Sequence, residues 1–198
     1  MKNKKFTIWE AIDFGWKSAE KNLWFLVGLF LLVFMLSSGT GWFPGSSFVI
    51  SILGGISILT AVLDIYAGKK AAVENLFSKY NLILQYLVTS VLYLAMVFVG
   101  LVLFIIPGIY VMLRFQFYKF LIVDKEMEPI EALRGSAQMT RGHVWQLFGL
   151  LCISVALNIL GLLALGVGLL VTVPVTLLAY TFVYKKLLAE EHHSTVAS

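Results

Sequence analysis

Three long stretches of the chain contain no charged residue, and they constrain its fold more than any other feature. They cover residues 22–63, 80–113 and 142–184, which is 42, 34 and 43 residues. A helix that crosses a bilayer needs about 20 apolar residues. A straight helix of 42 residues would be about 63 Å long, roughly twice the thickness of the hydrocarbon layer. Each stretch is therefore predicted to double back as a helical hairpin.

The expected turns of the hairpins are marked by glycine, serine and proline. Residues 37–47 read SSGTGWFPGSS, and Pro107-Gly108 interrupts the second stretch, where proline cannot continue the preceding hydrogen-bond ladder. In the third stretch, three glycines between residues 161 and 168 mark a weaker turn, whereas Pro174 is expected to kink the last helix. Six spans are predicted, near residues 23–37, 48–67, 82–106, 109–123, 144–163 and 167–184.

The composition requires lipid as the solvent for much of the surface. The chain is 60% hydrophobic and 13% charged, with a mean hydropathy of +0.90. Soluble domains carry roughly 25% charged residues, and half that fraction is too little to cover a water-soluble core of this size. Membrane lipids are thus expected partners. The net charge of +4 is attributed to an excess of Lys and Arg on the cytoplasmic side of the membrane, which is usual in membrane proteins. No nucleic-acid partner is therefore expected.

The basic residues predict the orientation. Of the 15 Lys and Arg residues, all except Arg114 lie in the N-terminal segment, in the connections 68–81 and 119–143, or after residue 184. The three hairpin tips carry none. By the positive-inside rule the charged side is cytoplasmic, which predicts six spans with both termini inside.

Each hairpin is preceded by a polar segment that is predicted to form an amphipathic interfacial helix. The fold class expected is therefore all-α, a polytopic membrane helix bundle of three hairpins. Residues 8–29 align with residues 129–150 at a constant offset, which indicates an internal repeat. The alternative is that the shared Glu-Ala matches by chance, because these residues are common in helices. The predicted units are 6–70, 73–125 and 129–188, forming a single domain 1–188 before a polar cytoplasmic tail 189–198.

Asp64 and Arg114 fall within the predicted spans and outside the basic connections 68–81 and 119–143. Such residues are functional candidates because burying them unpaired costs several kcal/mol. A salt bridge between them would tie the first hairpin to the second. Alternatively, Arg114 lines a polar cavity for an anionic headgroup or substrate, or its long side chain reaches the inner interface beside Gln116 and Lys119.

Other residue patterns argue against catalysis. The sequence has no H-E-x-x-H, no G-x-S-x-G and no P-loop. The single cysteine, Cys152, cannot form an intrachain disulfide and has no companion metal ligand. Ser136, Thr140 and Arg141 are expected to be a solvated helix face. No enzyme activity, cofactor or metal is predicted.

One region resembles a known group of proteins. The run 105–148 contains Ile-Ile-Pro-Gly-Ile, an aromatic helix with Arg114, then Glu131-Ala-Leu and Ser136 before Trp145. It resembles the signature region of six-span bacterial membrane proteins of unknown function that are related to the membrane domain of glycerophosphodiester phosphodiesterases. The resemblance implies a bacterial inner-membrane location and a multi-helix fold. It supplies no catalytic residue, because catalysis in those phosphodiesterases resides in a separate soluble barrel.

These features favour a non-enzymatic accessory or scaffold protein in envelope or lipid homeostasis. The alternative is a small transporter or lipid-handling protein with a polar cavity around Asp64 and Arg114. Other membrane proteins are possible partners, and the sequence leaves the oligomeric state open.

Overall fold

In a computed structural model the chain is α-helical, with no strand in the residues that the structure describes, which are 6–39, 46–69, 79–164 and 166–196. The all-α class predicted from the sequence is confirmed. A 3-10 turn at Tyr80–Leu82 precedes the fourth helix. In chain order the helices are α1 Ile8–Lys21, α2 Leu23–Gly39, α3 Ser46–Tyr66, α4 Ile83–Leu103, α5 Ile105–Phe115, α6 Tyr118–Lys125, α7 Pro129–Met139, α8 Val144–Leu163 and α9 Leu169–Val196.

Five segments of the described chain are long and apolar enough to cross a membrane. A sixth arises only if α1 and α2, which are bent by 85° at Asn22, are counted together. The number of such segments is compatible with a membrane protein. The five are Val49–Tyr66, Tyr80–Val102, Ile105–Lys125, Val144–Leu163 and Leu169–Glu191.

Helix α4 shows the surface that a lipid-facing helix needs. Leu84, Leu94, Phe98 and Val102 are each about two-thirds exposed. Large apolar side chains exposed in such number are unfavourable in water, where contiguous apolar patches on a monomer rarely exceed a few hundred Å². The outer surface of α4 therefore fits a hydrocarbon environment.

The turn of the second hairpin lies earlier than Pro107-Gly108. Helix α4 ends at Leu103, Phe104 is extended (φ −164°, ψ 148°), and α5 begins at Ile105. Pro107 thus falls in the first turn of α5, where its missing N–H disrupts no intrahelical bond. The two helices then approach closely, since a Cβ on Gly100 would lie 3.0 Å from the Cα of Gly108.

The third hairpin turns tightly between α8 and α9. A Cβ on Gly168 would lie 2.6 Å from the carbonyl oxygen of Gly161, so only glycine fits at this approach. Gly166, in the turn itself, has a positive φ of 76°. Pro174 lies inside α9 and does not end it, as predicted.

Helix α1 packs on α9 through small side chains. Ala11, Gly15 and Ala19 are buried at a spacing of four residues, and Gly15 lies against the backbone of α9 at Ala179. Small residues at this spacing allow helix backbones to approach closely. The opposite face carries Trp9, which is 71% exposed, and this outward apolar face is what the interfacial interpretation requires.

Some predicted segment boundaries lie outside the described residues or differ from the observed helices. Residues 40–45 of the first turn predicted at 37–47, and residues 73–78 at the start of the predicted middle unit, lie outside the described residues. The tail predicted to begin at residue 189 is helical to Val196, because α9 continues through it. Glu190 in this extension lies 3.3 Å from the imidazole of His143, which precedes α8. Residues 189–196 are therefore an extension of the last helix.

Candidate functional site

The fourth predicted span is broken near its centre. The predicted span 109–123 lies inside the candidate span Ile105–Lys125, and its helix is interrupted because α5 ends at Phe115 and α6 begins at Tyr118. A break frees backbone groups that must find other partners when they are buried. The hydroxyl of Ser136 in α7 and that of Thr140, the residue directly after α7, provide these partners.

Ser136 and Thr140 bond the freed backbone groups at the break. The Ser136 hydroxyl accepts from the Phe117 N–H at 3.1 Å and donates to the Arg114 carbonyl at 3.1 Å. The Thr140 hydroxyl reaches the same carbonyl at 2.9 Å and its own helix at the Ser136 carbonyl at 2.7 Å. Both residues are fully buried. The expectation that they form a solvated face was therefore wrong, because their hydroxyls complete the backbone bonding of another helix.

Helix α7 is positioned by its own start and by the buried face. Pro129 occupies the first turn after the extended residue Glu128, and Glu131 lies in the same turn, where a carboxylate favours the positive end of the helix dipole. Ala132, Leu133 and the two hydroxyl residues all face the bundle. Arg114 and Ser136, which both belong to the sequence run 105–148, are thus joined by a hydrogen bond to the Arg114 main-chain carbonyl.

A second polar cluster joins the end of α6 to α9. The Asp124 carboxylate accepts from the Lys185 ammonium at 2.8 Å and from the Tyr184 hydroxyl at 2.8 Å. The side chains of Asp124 and Lys185 are only 17% and 24% exposed. Tyr184 is fully buried and stacks on Phe120 with a centroid distance of 5.1 Å. Sequence reasoning missed this cluster, although Asp124 is the first acid after the apolar run of α6.

The connection before α4 is tied to the same region. The Lys79 ammonium donates to the carbonyl of Val123, and it lies 3.6 Å from the carboxylate of Glu126. Because Val123 immediately precedes Asp124, the C-terminal end of α6 is held from both sides. This end is a junction between the second and third units.

Asp64 and Arg114 are not brought together. Among the residues that the structure describes, the ion pairs include none between them. The Arg114 guanidinium donates to the Tyr110 hydroxyl at 2.9 Å and lies 5.6 Å from the centre of that ring. Asp64 is half-buried near the end of α3. The predicted salt bridge is thus absent in this structure, and a functional role of either residue stays a prediction.

A further cation lies among aromatic rings. The Lys119 ammonium is 5.5 Å from the ring centre of Tyr86 and 5.7 Å from that of Tyr118, distances typical of cation–π contacts. The Tyr118 hydroxyl donates to Ser90 at 3.0 Å. These contacts join α4 to α6.

Two open grooves lie beside α1. One of about 510 Å³ lies between α1 and α9, and a neighbouring one of about 380 Å³ lies between α1 and the end of α3. Neither is lined by Asp64 or Arg114. The first is lined by Glu10, Asp13, Phe14, Lys17, Ser18, Lys21, Phe182 and Lys186, and the second by Phe14, Ser18, Lys21, Asn22, Ile65, Gly68 and Lys69.

The first groove has charges of both signs at its rim. The Lys17 ammonium lies 2.7 Å from Asp13, and the Lys186 ammonium lies 2.8 Å from Glu10. Phe14 and Phe182 form the floor, with ring centres 5.1 Å apart. Within the part of the chain that the structure describes, no group of three or more His, Cys, Asp or Glu residues is placed to hold a metal ion.

Comparison with known proteins yields relatives without an assigned activity. An uncharacterised protein of Mycobacterium bovis and two uncharacterised proteins of Mycobacterium tuberculosis are each 28% identical to this chain over 180 residues. The match covers 90% of this chain, which spans half the length of these relatives. No solved structure matches. None of these comparisons links the chain to the membrane domains of glycerophosphodiester phosphodiesterases.

A family model covers nearly all of the structure described above. It matches residues 19–198, from the last turn of α1 through α9, and so includes the broken helix, both polar clusters and the second groove in large part. This extent is well over half of the chain. The chain therefore belongs to the family described as a domain of unknown function, DUF7847.

Proposed function

We propose that this chain is a non-enzymatic accessory or scaffold protein of the bacterial inner membrane, acting in envelope or lipid homeostasis. In this proposal its apolar helices cross the bilayer as three hairpins, with both termini in the cytoplasm. The positive-inside rule supports this orientation, since the hairpin tips carry no Lys or Arg. The bacterial relatives support the location.

The observation that carries the proposal is that polar side chains inside the bundle form hydrogen bonds and ion pairs between helices. Ser136 and Thr140 complete the backbone bonding of the broken helix, and Asp124 is held by Lys185 and Tyr184. These groups bond to one another and hold helices together. Such an arrangement favours a structural role over a chemical one.

The groove of Glu10, Asp13, Lys17 and Lys186 is the surface proposed for contact with another protein. It combines exposed charges of both signs with an aromatic floor, which suits a polar protein segment that carries complementary charges and one apolar anchor. The envelope protein that docks there would do so from the cytoplasm.

Photo-cross-linking in native membranes tests this proposal. A photoreactive amino acid at Asp13 is expected to yield a discrete adduct with one other protein. The same residue at Lys125, which is exposed at the end of α6, is expected to yield none and serves as the control. The adduct should survive both Asp64→Asn and Arg114→Gln, since neither residue lines the groove.

The transporter alternative makes the opposite prediction. If Arg114→Gln or Asp64→Asn abolished solute flux in proteoliposomes while the melting temperature was unchanged, and Asp13 gave no adduct, the scaffold proposal would be wrong.

A further inference from the structure

The second groove beside α1 has the composition of an anion site. Its seven described lining residues include two lysines and no carboxylate. Lys21 ends α1 and Lys69 follows α3, and both are exposed with no ion pair among the described residues. Asp64, five residues before Lys69, does not line the groove. The electrostatic balance therefore favours a negatively charged ligand.

Neutral groups in the groove can complete such a site. Asn22 and Ser18 both line the groove, and the Asn22 amide donates to the Ser18 carbonyl at 3.0 Å. Phe14 and Ile65 supply an apolar wall. Its volume of about 380 Å³ is at the lower end of small-ligand pockets, which occupy roughly 300–1,000 Å³. A phosphate bearing a small polar substituent matches this mixture of groups.

The position of the groove identifies the source of the phosphate. Lys21 and Asn22 immediately precede α2, and Lys69 comes three residues after α3 ends at Tyr66. Both lysines thus lie at the same end of the first hairpin, at the edge of its apolar segments. Trp24, which is 88% exposed at the start of α2, fits the level at which aromatic residues meet lipid headgroups. Phosphates of membrane lipids lie at this depth.

We propose that this groove binds the phosphate headgroup of an anionic phospholipid of the cytoplasmic leaflet. Lys21 and Lys69 contact the phosphate, the Ser18 hydroxyl and the Asn22 amide bond its substituent, and the glycerol backbone lies against Phe14 and Ile65. The acyl chains follow the outer surface of α2. The neighbouring groove proposed for protein docking shares Phe14, Ser18 and Lys21 with this one, whereas Lys69 lines only this groove, so Lys69→Gln distinguishes lipid binding from protein docking.

Native mass spectrometry of the detergent-solubilised protein tests the site. Titration with phosphatidylglycerol is expected to show tighter binding than titration with phosphatidylcholine. Each of Lys21→Gln and Lys69→Gln should weaken phosphatidylglycerol binding about five-fold, and the double variant about 25-fold, because a lysine near an anionic headgroup contributes about 1 kcal/mol. Lys125→Gln removes the same charge from an exposed lysine outside the groove and should change the affinity less than two-fold.

Two results would overturn the inference. One is a double variant that keeps the wild-type preference for phosphatidylglycerol. The other is displacement of phosphatidylglycerol by an equal concentration of inorganic phosphate, which would identify a free anion as the ligand. Because both lysines are exposed, the variants should keep the melting temperature of the wild type, and this is measured alongside.

Discussion

Replacing Asp124 by alanine is expected to lower the free energy of unfolding by about 2–4 kcal/mol, because the substitution leaves a mostly buried ammonium without its counter-ion. Lys185 is bonded to both carboxylate oxygens, at 2.8 and 2.9 Å, and Tyr184 donates to one of them. With the carboxylate gone, Lys185 must be desolvated without compensation. The Tyr184 hydroxyl, on a fully buried residue, also loses its acceptor.

The chain contains a matched control for this substitution. Asp13 and Lys17 form an ion pair of similar length, 2.7 Å, with side chains 61% and 68% exposed. Exposed pairs contribute about 0–1 kcal/mol, so Asp13→Ala should be nearly neutral. Unfolding in mixed detergent micelles measures both variants. Equal losses for Asp124→Ala and Asp13→Ala would show that burial of the Asp124 cluster contributes nothing.

The second large effect is expected at the break between α5 and α6. Ser136→Ala removes the acceptor of the Phe117 N–H and one of the two donors to the Arg114 carbonyl. Phe117 is fully buried, and an unsatisfied buried donor costs about 1–3 kcal/mol. The amide of Phe117 should also exchange its hydrogen faster. Unfolding and hydrogen exchange of the variant in detergent measure the two effects.

Thr181→Val is the control for the Ser136 substitution. The Thr181 hydroxyl is also buried, but it donates at 2.9 Å to the Leu177 carbonyl of its own helix. That carbonyl belongs to the regular ladder of α9, so loss of the hydroxyl leaves no group unpaired. The control should cost less than Ser136→Ala. A larger loss for Thr181→Val than for Ser136→Ala would contradict the bonding role assigned to Ser136.

Charge distribution alone predicted much of the helical framework. Helices α2, α3 and α8 coincide to within two residues with the predicted spans 23–37, 48–67 and 144–163. This agreement follows from physics that is local in sequence, since a run of apolar residues without charges favours a long helix and polar residues favour its ends. Longer-range features were not accessible in this way.

The break in the fourth span illustrates the limit. Residues 109–123 are apolar except for Arg114, Gln116 and Lys119, and the hydroxyls that bond the backbone at the break belong to Ser136 and Thr140, which follow about twenty residues later. Similarly, Asp124 bonds side chains some sixty residues away in α9. Sequence separation hides such tertiary contacts. Only an unexpected small or polar residue on a helix can hint at them.

One such hint was visible in α1. Ala11, Gly15 and Ala19 form the face that packs on α9. Small residues at a spacing of four are a recognisable signal of close helix packing. The pairing of Asp64 with Arg114 had no comparable support, since it rested only on the position of both residues within predicted spans.

Labelling of single cysteines tests the three-hairpin arrangement most directly. In a Cys152→Ser background, Val167→Cys lies in the turn between α8 and α9, and Lys125→Cys lies at the end of α6, with only α8 as a candidate span between them. Both positions are exposed. A membrane-impermeant maleimide should label Val167→Cys only in right-side-out vesicles and Lys125→Cys only in inverted ones. Labelling of both positions from the same side would contradict the arrangement.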